Sequence, residues 1–310
     1  MSTDSAPTPE ISVVIPVFNG SNTLRAVVAS VGEALSGFDY EIVLVDDGST
    51  DDSWATIEEL AADPAVRGSR MLKNYGQHSA VVAGLAQARG AWVATIDDDG
   101  QNNPADIPVL LAAAEAGNHD LVFAERRGLQ ASRSRRFASG LVNTVVLRVF
   151  SAPRDLRISN YRLMTNEVAR RIASDQTQYP YVNGLALEYS GRPGSVPVEH
   201  QAHQGEGSRY TMRKLFGLLA DILFSYSIWA YRLVVGVVLI ALVAGAAVSI
   251  LVIARSMMSD DVVPGWASTV LVFSLMSSAN LIALTVIGEY VVRAMRQTRA
   301  PARYIIEEQT

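Results

Sequence analysis

The sequence predicts an α/β protein, a mostly parallel sheet with helices on both faces, followed by two membrane-spanning helices. Three observations carry this. Apolar, β-branched runs alternate with helix-period segments from residue 11 to residue 96, the pattern of a parallel sheet covered on both sides. Several of those runs end in Pro or Asp, as strands entering loops do. Two long uncharged stretches then follow at residues 233–254 and 266–288.

Taken in order, residues 1–10 (MSTDSAPTPE) are polar, lack the apolar centre of a secretory signal, and are expected to be a disordered leader. Residues 11–17 (ISVVIPV) and 41–47 (EIVLVDD) read as buried strands. Between them, residues 22–36 have helical spacing, with Asn22 or Ser21 as N-cap. The stretch GSTDDSWATIEELAA opens with turn and cap residues and continues as a helix. Residues 69–73 give a short strand, 77–89 a helix rich in Ala and Val, and 91–96 (AWVATI) another buried strand.

Residues 233–254 carry no charge and are long enough for the ~20 residues that cross ~30 Å of hydrocarbon as a helix. Residues 266–288 are also uncharged, though Asn280 and several hydroxyls make them more polar. A buried helical hairpin would need two such runs in one globular core, which is unusual. The link RSMMSDDVVPG carries Asp260 and Asp261 against Arg255 alone. The flanks carry Arg209, Arg213, Lys214 and Arg232 on one side and Arg293, Arg296, Arg299 and Arg303 on the other. By the positive-inside rule both flanks are cytoplasmic, giving a multi-pass protein of the inner or plasma membrane. Residues 141–150 and 211–231 are apolar with few charges; they fit interfacial helices, with Tyr226, Trp229 and Tyr231 at headgroup level, or core helices of the soluble part.

With 310 residues the chain holds more than one structural unit. Its net charge of −5 gives no support to nucleic-acid binding. Absence of cysteine removes disulfides and thiolate metal ligands, and four histidines without paired spacing argue against zinc.

In parallel sheets, ligands bind beyond the carboxyl ends of the strands. Three motifs are expected there: Pro16-Val17-Phe18-Asn19, Asp46-Asp47-Gly48-Ser49, and Asp97-Asp98-Asp99 within ATIDDDGQNNPADIP. The triple aspartate fits a solvated, helix-capping loop or a cation site, because like charges placed together need compensation. Neither GxGxxG nor GxxxxGK[ST] occurs. If a nucleotide binds, its diphosphate needs another counter-charge, and Mg²⁺ or Mn²⁺ on Asp97 and Asp99 would supply it.

The stretches SVVIPVFN, EIVLVDDGSTDDS, NYGQHSAVVAGLAQARG and DDDGQNNPADIP, with GEYVVR and RAPARYII further on, together resemble the family 2 glycosyltransferases of GT-A (Rossmann-like) fold. Within that family they are most similar to the branch that glycosylates polyprenyl phosphates. The resemblance spans residues 11–310. It implies a nucleotide-sugar donor, a polyprenyl phosphate acceptor in the membrane, metal-dependent inverting transfer, no nucleic acid, and a homo-oligomer such as a tetramer. It also implies a division into a leader (1–10), a GT-A domain (11–208), an interfacial amphipathic helix (209–232), a transmembrane hairpin (233–290) and a cytoplasmic tail (291–310).

Residue by residue, Asp97, Asp99 and Gln101 match the family's metal triplet, with Asp99 also catalytic. Pro16, Val17, Phe18 and Asp46 match the wall that holds base and ribose, with Asp47 and Asp98 beside them on the donor. Arg126 falls where the family places an arginine near the transferred phosphate, and Asp155 is a candidate carboxylate at the acceptor. Arg135 and Ser139, at i and i+4, would share a helical face and hold the acceptor phosphate, with Arg209 standing for the family's lysine; a solvated basic face or an anionic-lipid contact is the alternative for these arginines. Departures are Gly100 in place of leucine, Gly20 in place of an acid, and His203 in place of an arginine. A glycosyltransferase of the same fold acting on a glycan or protein, and an inactive membrane scaffold, remain as alternatives.

Overall fold

The structure, a computed structural model, describes residues 8–127, 155–175, 180–199, 266–298 and 304–310, with scattered positions within 144–153 and 236–247. It divides into two compact units, Met1–Arg209 with Pro301–Thr310, and Tyr210–Ala300.

In the first unit the chain runs β1 (Ile11–Val17), α1 (Leu24–Ala34), β2 (Tyr40–Asp46), α2 (Ser53–Leu60), β3 (Val66–Met71), α3 (Gln77–Gln87), β4 (Trp92–Thr95), α4 (Asp106–Ala116) and β5 (Leu121–Arg127). There follow β6 (Arg162–Thr165), α5 (Asn166–Ser174), α6 (Val182–Tyr189), β7 (Pro193–Glu199) and β8 (Ile306–Gln309). One eight-stranded sheet has the order β7-β5-β6-β4-β1-β2-β3-β8. Strand β1 is parallel to β2 and β4, β2 to β3, and β5 to β7. Two strands run against this direction: β6 between β4 and β5, and β8 on the edge of β3. The sheet is therefore mostly parallel, as expected, with two antiparallel insertions that no hydrophobic period marks.

Every residue of β1 is buried, because helices cover both faces of a central parallel strand. Helix α1 buries Leu24, Val27, Val28 and Val31, a stripe at i, i+3, i+4 and i+7 that faces the core. Its N-cap is Thr23 rather than Asn22 or Ser21, and no side chain caps it. Thr23 Oγ1 is turned instead to the carbonyls of Gly20 (3.1 Å) and Asp98 (2.6 Å). A loop contact outcompetes the cap.

The amino ends of the strands are held by a charge cluster. Glu41, buried, accepts from Ser12 Oγ (2.6 Å), the Arg89 amide (2.7 Å) and Nε (2.9 Å), and Arg67 Nη2 (2.7 Å). Burial alone would raise its pKa, but these donors override it and hold the carboxyl below its usual value of 4.5.

At the other edge, β8 closes the open side of β3. The Leu72 amide donates to Ile305 O (2.9 Å), and Gly68 N donates to Thr310 Oγ1 (2.8 Å). Trp54 Nε1 donates to Glu308 Oε2 (2.9 Å), while Glu308 Oε1 lies 3.8 Å from Arg70. The stretch expected as a cytoplasmic tail at 291–310 thus contains an edge strand of the first unit.

Near residue 150, Val146 and Leu147 are buried and Phe150 packs where a Cβ on Gly184 would stand. For these positions the core alternative holds. Residues 211–231 lie outside the described residues.

In the second unit, α7 spans Trp266–Thr298. Its window Leu275–Val292 has mean hydropathy 1.5, and 6% of it is buried. Among the described residues it is the helix long and apolar enough to cross a membrane. The first expected span, 233–254, is described only at positions 236–241, 243–245 and 247, all helical.

Candidate functional site

The order β4-β1-β2 contains the point where chain direction across the sheet reverses: β1 leads to β2 on one side, and β3 returns over to β4 on the other. In parallel sheets such a point leaves a crevice at the carboxyl edge. A cavity of about 460 Å³ occupies it.

One wall is the end of β1, Pro16, Val17 and Phe18; the next is Asp47, after β2. Asn74, Gly76 and Gln77 come from the β3–α3 turn, Asp97, Asp98 and Asp99 follow β4, and Asn160 precedes β6. The sequence expectation that the three motifs meet at one edge is met. Asn74, Gly76, Gln77 and Asn160 received no donor role from the sequence. The first three sit in NYGQHSA, whose resemblance was the available signal.

Each acid is anchored differently. The Asp47 carboxylate accepts from the Tyr75 amide (2.7 Å) and the Gly76 amide (2.9 Å), which ties the β2 and β3 loops together. Burial still pushes its pKa up. Asp97 Oδ1 accepts from Gln77 Nε2 (2.5 Å), and Asp99 Oδ1 from the Gln101 amide (3.0 Å). Asp98 Oδ2 accepts from the Phe18 amide (3.1 Å). Burial, then the charges of Asp97 and Asp99, raise the Asp98 carboxyl to about 6 despite that bond. Uncompensated negative charge is what a cation would relieve.

Asp46 is placed otherwise than the sequence reading has it. It is fully buried and does not line the cavity. Its Oδ1 accepts from the Ser49 amide (3.1 Å), and its Oδ2, which makes no hydrogen bond, lies 3.4 Å from Arg70 Nε. Burial raises its pKa, opposed by Ser49 and Arg70. Alternation along a strand explains the position: one of two adjacent aspartates must face away from the crevice.

Gln101 is exposed and is not among the cavity-lining residues, while its amide reaches Asp99 Oδ1. No group of three His, Cys, Asp or Glu converges on a metal position among the described residues. Asp97 and Asp99 present hard oxygens to the cavity beside Asp47 and Asp98, a donor set that suits a divalent ion completed by ligand phosphate and water. Asp155 is exposed in a turn and is not among the residues lining the cavity. Arg126 is placed by its backbone in β5, opposite Val198 of β7. Arg135, Ser139, His203 and Arg209 lie outside the described residues.

The glycine at position 20 has a steric cause. A Cβ there would stand 2.5 Å from Asp98 Oδ2, so a side chain at this position would collide with Asp98 as it is placed. The surrounding turn is laced by Asn19 N to Ser49 Oγ (2.9 Å), Thr50 N to Asn19 Oδ1 (2.9 Å) and Gly20 N to Ser53 Oγ (2.9 Å).

Beneath the aspartates lies Arg162, 1% exposed. Its Nη1 donates to Asn183 Oδ1, and Asn183 Nδ2 donates to Asn160 Oδ1 (3.1 Å). Burial pushes the Arg162 pKa down to about 10, against the pull of Asp97. Neighbouring His78 is pushed down to about 4 by burial and by Arg162, and is neutral at pH 7. His78 lies in NYGQHSA, but nothing in the sequence marked Arg162 or Asn183.

Against known proteins, residues 12–167 match the sequence profile described as Glycosyl transferase family 2. The chain is 32% identical to the undecaprenyl-phosphate 4-deoxy-4-formamido-L-arabinose transferase of Proteus mirabilis (strain HI4320), over 96% of this chain and 93% of that protein. The protein of the same name from Edwardsiella ictaluri (strain 93-146) is 32% identical over the same shares, 96% and 93%. Among solved structures, a crystal structure of a mycobacterial protein superposes with a TM-score of 0.50 at 20% identity, covering 70% of this chain and 73% of that one. That likeness concerns the fold.

Proposed function

The chain belongs to glycosyl transferase family 2, and we propose that it transfers one sugar, with inversion, from a nucleoside-diphosphate sugar to a polyprenyl monophosphate at the cytoplasmic face of a membrane. The observation that carries this reading is that similarity to transferases named for undecaprenyl phosphate runs over 96% of the chain, the α7 helix included. The exposed apolar surface of α7 supports a place in lipid, and the two-span topology with cytoplasmic flanks follows from the charge pattern.

Base and ribose take the wall of Pro16, Val17, Phe18 and Asp47, and the diphosphate lies toward Asp97 and Asp99. A divalent ion held by Asp97 and Asp99 would neutralise the leaving diphosphate as a Lewis acid. Arg126, on β5 beyond β4 and β6 in the sheet order, is assigned on sequence grounds to the phosphates that flank the transferred sugar. Acceptor phosphate is largely ionised near pH 7, its second pKa being about 6. One of its oxygens attacks the anomeric carbon as the bond from that carbon to the donor phosphate breaks, and the nucleoside diphosphate leaves with the electron pair. No proton has to be removed by a base. The protein's work is positioning and electrostatic stabilisation. Arg135, Ser139 and Arg209 are assigned to the acceptor phosphate on sequence grounds, and Asp155, outside the cavity, takes no step in this reading.

The test is incubation of the purified full chain with a panel of labelled sugar nucleotides and undecaprenyl phosphate, with and without Mg²⁺, Mn²⁺ or chelator. Mass analysis of the extracted lipid should show one glycosylated phosphate, absent in chelator. Titration of Mn²⁺ should show weaker binding to Asp97→Asn than to wild type. Transfer at full rate in excess chelator removes the ion from the mechanism, and label found only in glycan or protein overturns the acceptor.

A further inference from the structure

The cavity has a hydrogen-bond polarity on its β6 side, and that polarity originates in the core. Arginine carries donors only. Arg162 therefore obliges Asn183 to turn its Oδ1 inward, where it accepts from Nη1. Asn183 then has only Nδ2 to offer outward, and it donates to Asn160 Oδ1 (3.1 Å). Asn160 is in turn left with Nδ2 as its free end, and Asn160 lines the cavity. The backbone fixes the same residue, since Thr95 Oγ1 donates to Asn160 O (2.9 Å). Amide orientation, ordinarily ambiguous, is here settled by the one group at the start of the chain that cannot accept.

We infer that Arg162 and Asn183 are positioning residues that hold Asn160 as a hydrogen-bond donor, and that Asn160 reads an oxygen of the transferred sugar. The assignment to the sugar rests on the reading of the cavity as a nucleotide-sugar site. It follows from the order of strands at the carboxyl edge. Asp47 follows β2, Phe18 follows β1, the three aspartates follow β4, and Asn160 precedes β6. A donor with its base at the Asp47 end and its diphosphate at the aspartates extends its sugar toward β6, where Asn160 stands.

The arrangement also accounts for a costly feature. Arg162 is 1% exposed, its Nε has no hydrogen-bond partner, and among the described residues no carboxylate comes within ion-pair distance of it. Burying a cation this way opposes folding. A cavity whose specificity needs a fixed donor gives the cation a use there.

Three variants of the full chain test this in detergent: Asn160→Ala, Asn183→Asp and the double variant. Asn183→Asp keeps an acceptor for Arg162, now an anionic one, but has no N–H to give Asn160. The probes are UDP-glucose with UDP and GDP-mannose with GDP, the pair that wild type binds more tightly being used. Asn160→Ala should weaken the sugar nucleotide about tenfold or more while leaving the diphosphate within about twofold. Asn183→Asp should weaken it severalfold alone and add nothing once residue 160 is alanine. Additive losses, or equal losses for sugar nucleotide and diphosphate, overturn the positioning role. A second arm needs no ligand: with ¹⁵N-asparagine labelling, Asn183→Asp should shift the Asn160 Nδ2 resonance, and an unmoved resonance refutes the polarity. If wild type binds neither sugar nucleotide nor diphosphate, the donor reading fails and the sugar role with it, while the labelled amide still judges the Arg162–Asn183–Asn160 order.

Discussion

Replacing Glu41 by Gln should destabilise the first unit without touching the cavity, and the structure bounds the size of the effect. One carboxylate oxygen accepts from Ser12 Oγ and the Arg89 amide, the other from Arg89 Nε and Arg67 Nη2. Glutamine retains an acceptor for the first pair but turns an NH₂ toward two guanidinium donors. Hydrogen bonds to charged groups contribute roughly 1.5–3 kcal/mol each, and two are lost. Arg67 and Arg89 are 30% and 52% exposed, so water recovers part of their cost. We therefore expect a loss of about 2–4 kcal/mol, below the upper end of the ~3–5 kcal/mol for breaking a fully buried pair. Urea midpoints and thermal unfolding of the full chain in detergent, followed by tryptophan fluorescence, measure it; roughly 2–4 °C per kcal/mol is the conversion for a unit of this size. The pH dependence has a definite sign. The folded Glu41 pKa lies below 4.5, so its contribution is complete above 4.5 and is lost as pH falls through the folded value. The gap between wild type and Glu41→Gln should therefore narrow only in acid. A difference under ~0.5 kcal/mol at pH 7, or one that widens on acidification, refutes the account.

Gly48→Ala should cost at least about 1–3 kcal/mol and weaken nucleotide binding, since φ is +67° and the new Cβ would sit 2.6 Å from the Lys73 carbonyl carbon, in the loop Asp47 holds; ligand titration alongside denaturation checks both. Arg135→Ala should raise the polyprenyl phosphate concentration needed for half-maximal rate strongly while leaving nucleotide affinity nearly unchanged, and collapse of nucleotide affinity instead would move this residue to the donor. For topology, a cysteine at Ser259 should react with an impermeant thiol reagent outside intact cells and one at Ser5 should not; the chain's lack of cysteine keeps the background low.

What could be read in advance was whatever has a short period or a local composition. Strands at 11–17 and 92–95 and the helix from Gln77 follow from apolar runs and helical spacing, and the acids at their carboxyl ends follow from the rule for parallel sheets. Three features were illegible for a common reason: they depend on partners distant in sequence. Asp46 and Asp47 look equivalent in sequence, yet only the packing of β2 decides that Arg70 takes one and the Tyr75 and Gly76 amides the other. Gly20 looks like a missing acid in sequence, and only the fold shows that Asp98 Oδ2 stands where its Cβ would be. Arg162 in NYRLM carries no sign of burial, because its meaning comes from Asn183 and Asn160 around it.

Strand β3 waits a long time for its neighbour. Gly68 and Thr310 are 242 residues apart, and Trp54 and Glu308 are 254. During synthesis, strands β1 to β7 and then the apolar segments are made before residues 306–309 exist. Throughout that interval the β3 edge presents unpaired amides and carbonyls, the kind of surface on which chains pair wrongly. Closing so long a loop is entropically mild, since the cost grows only with the logarithm of its length, so delay rather than free energy is the hazard. The edge is sealed only when the apolar segments have been made and their far end has come back to the sheet. A chain broken off within those segments keeps its cavity residues but has no strand to pair with the β3 edge.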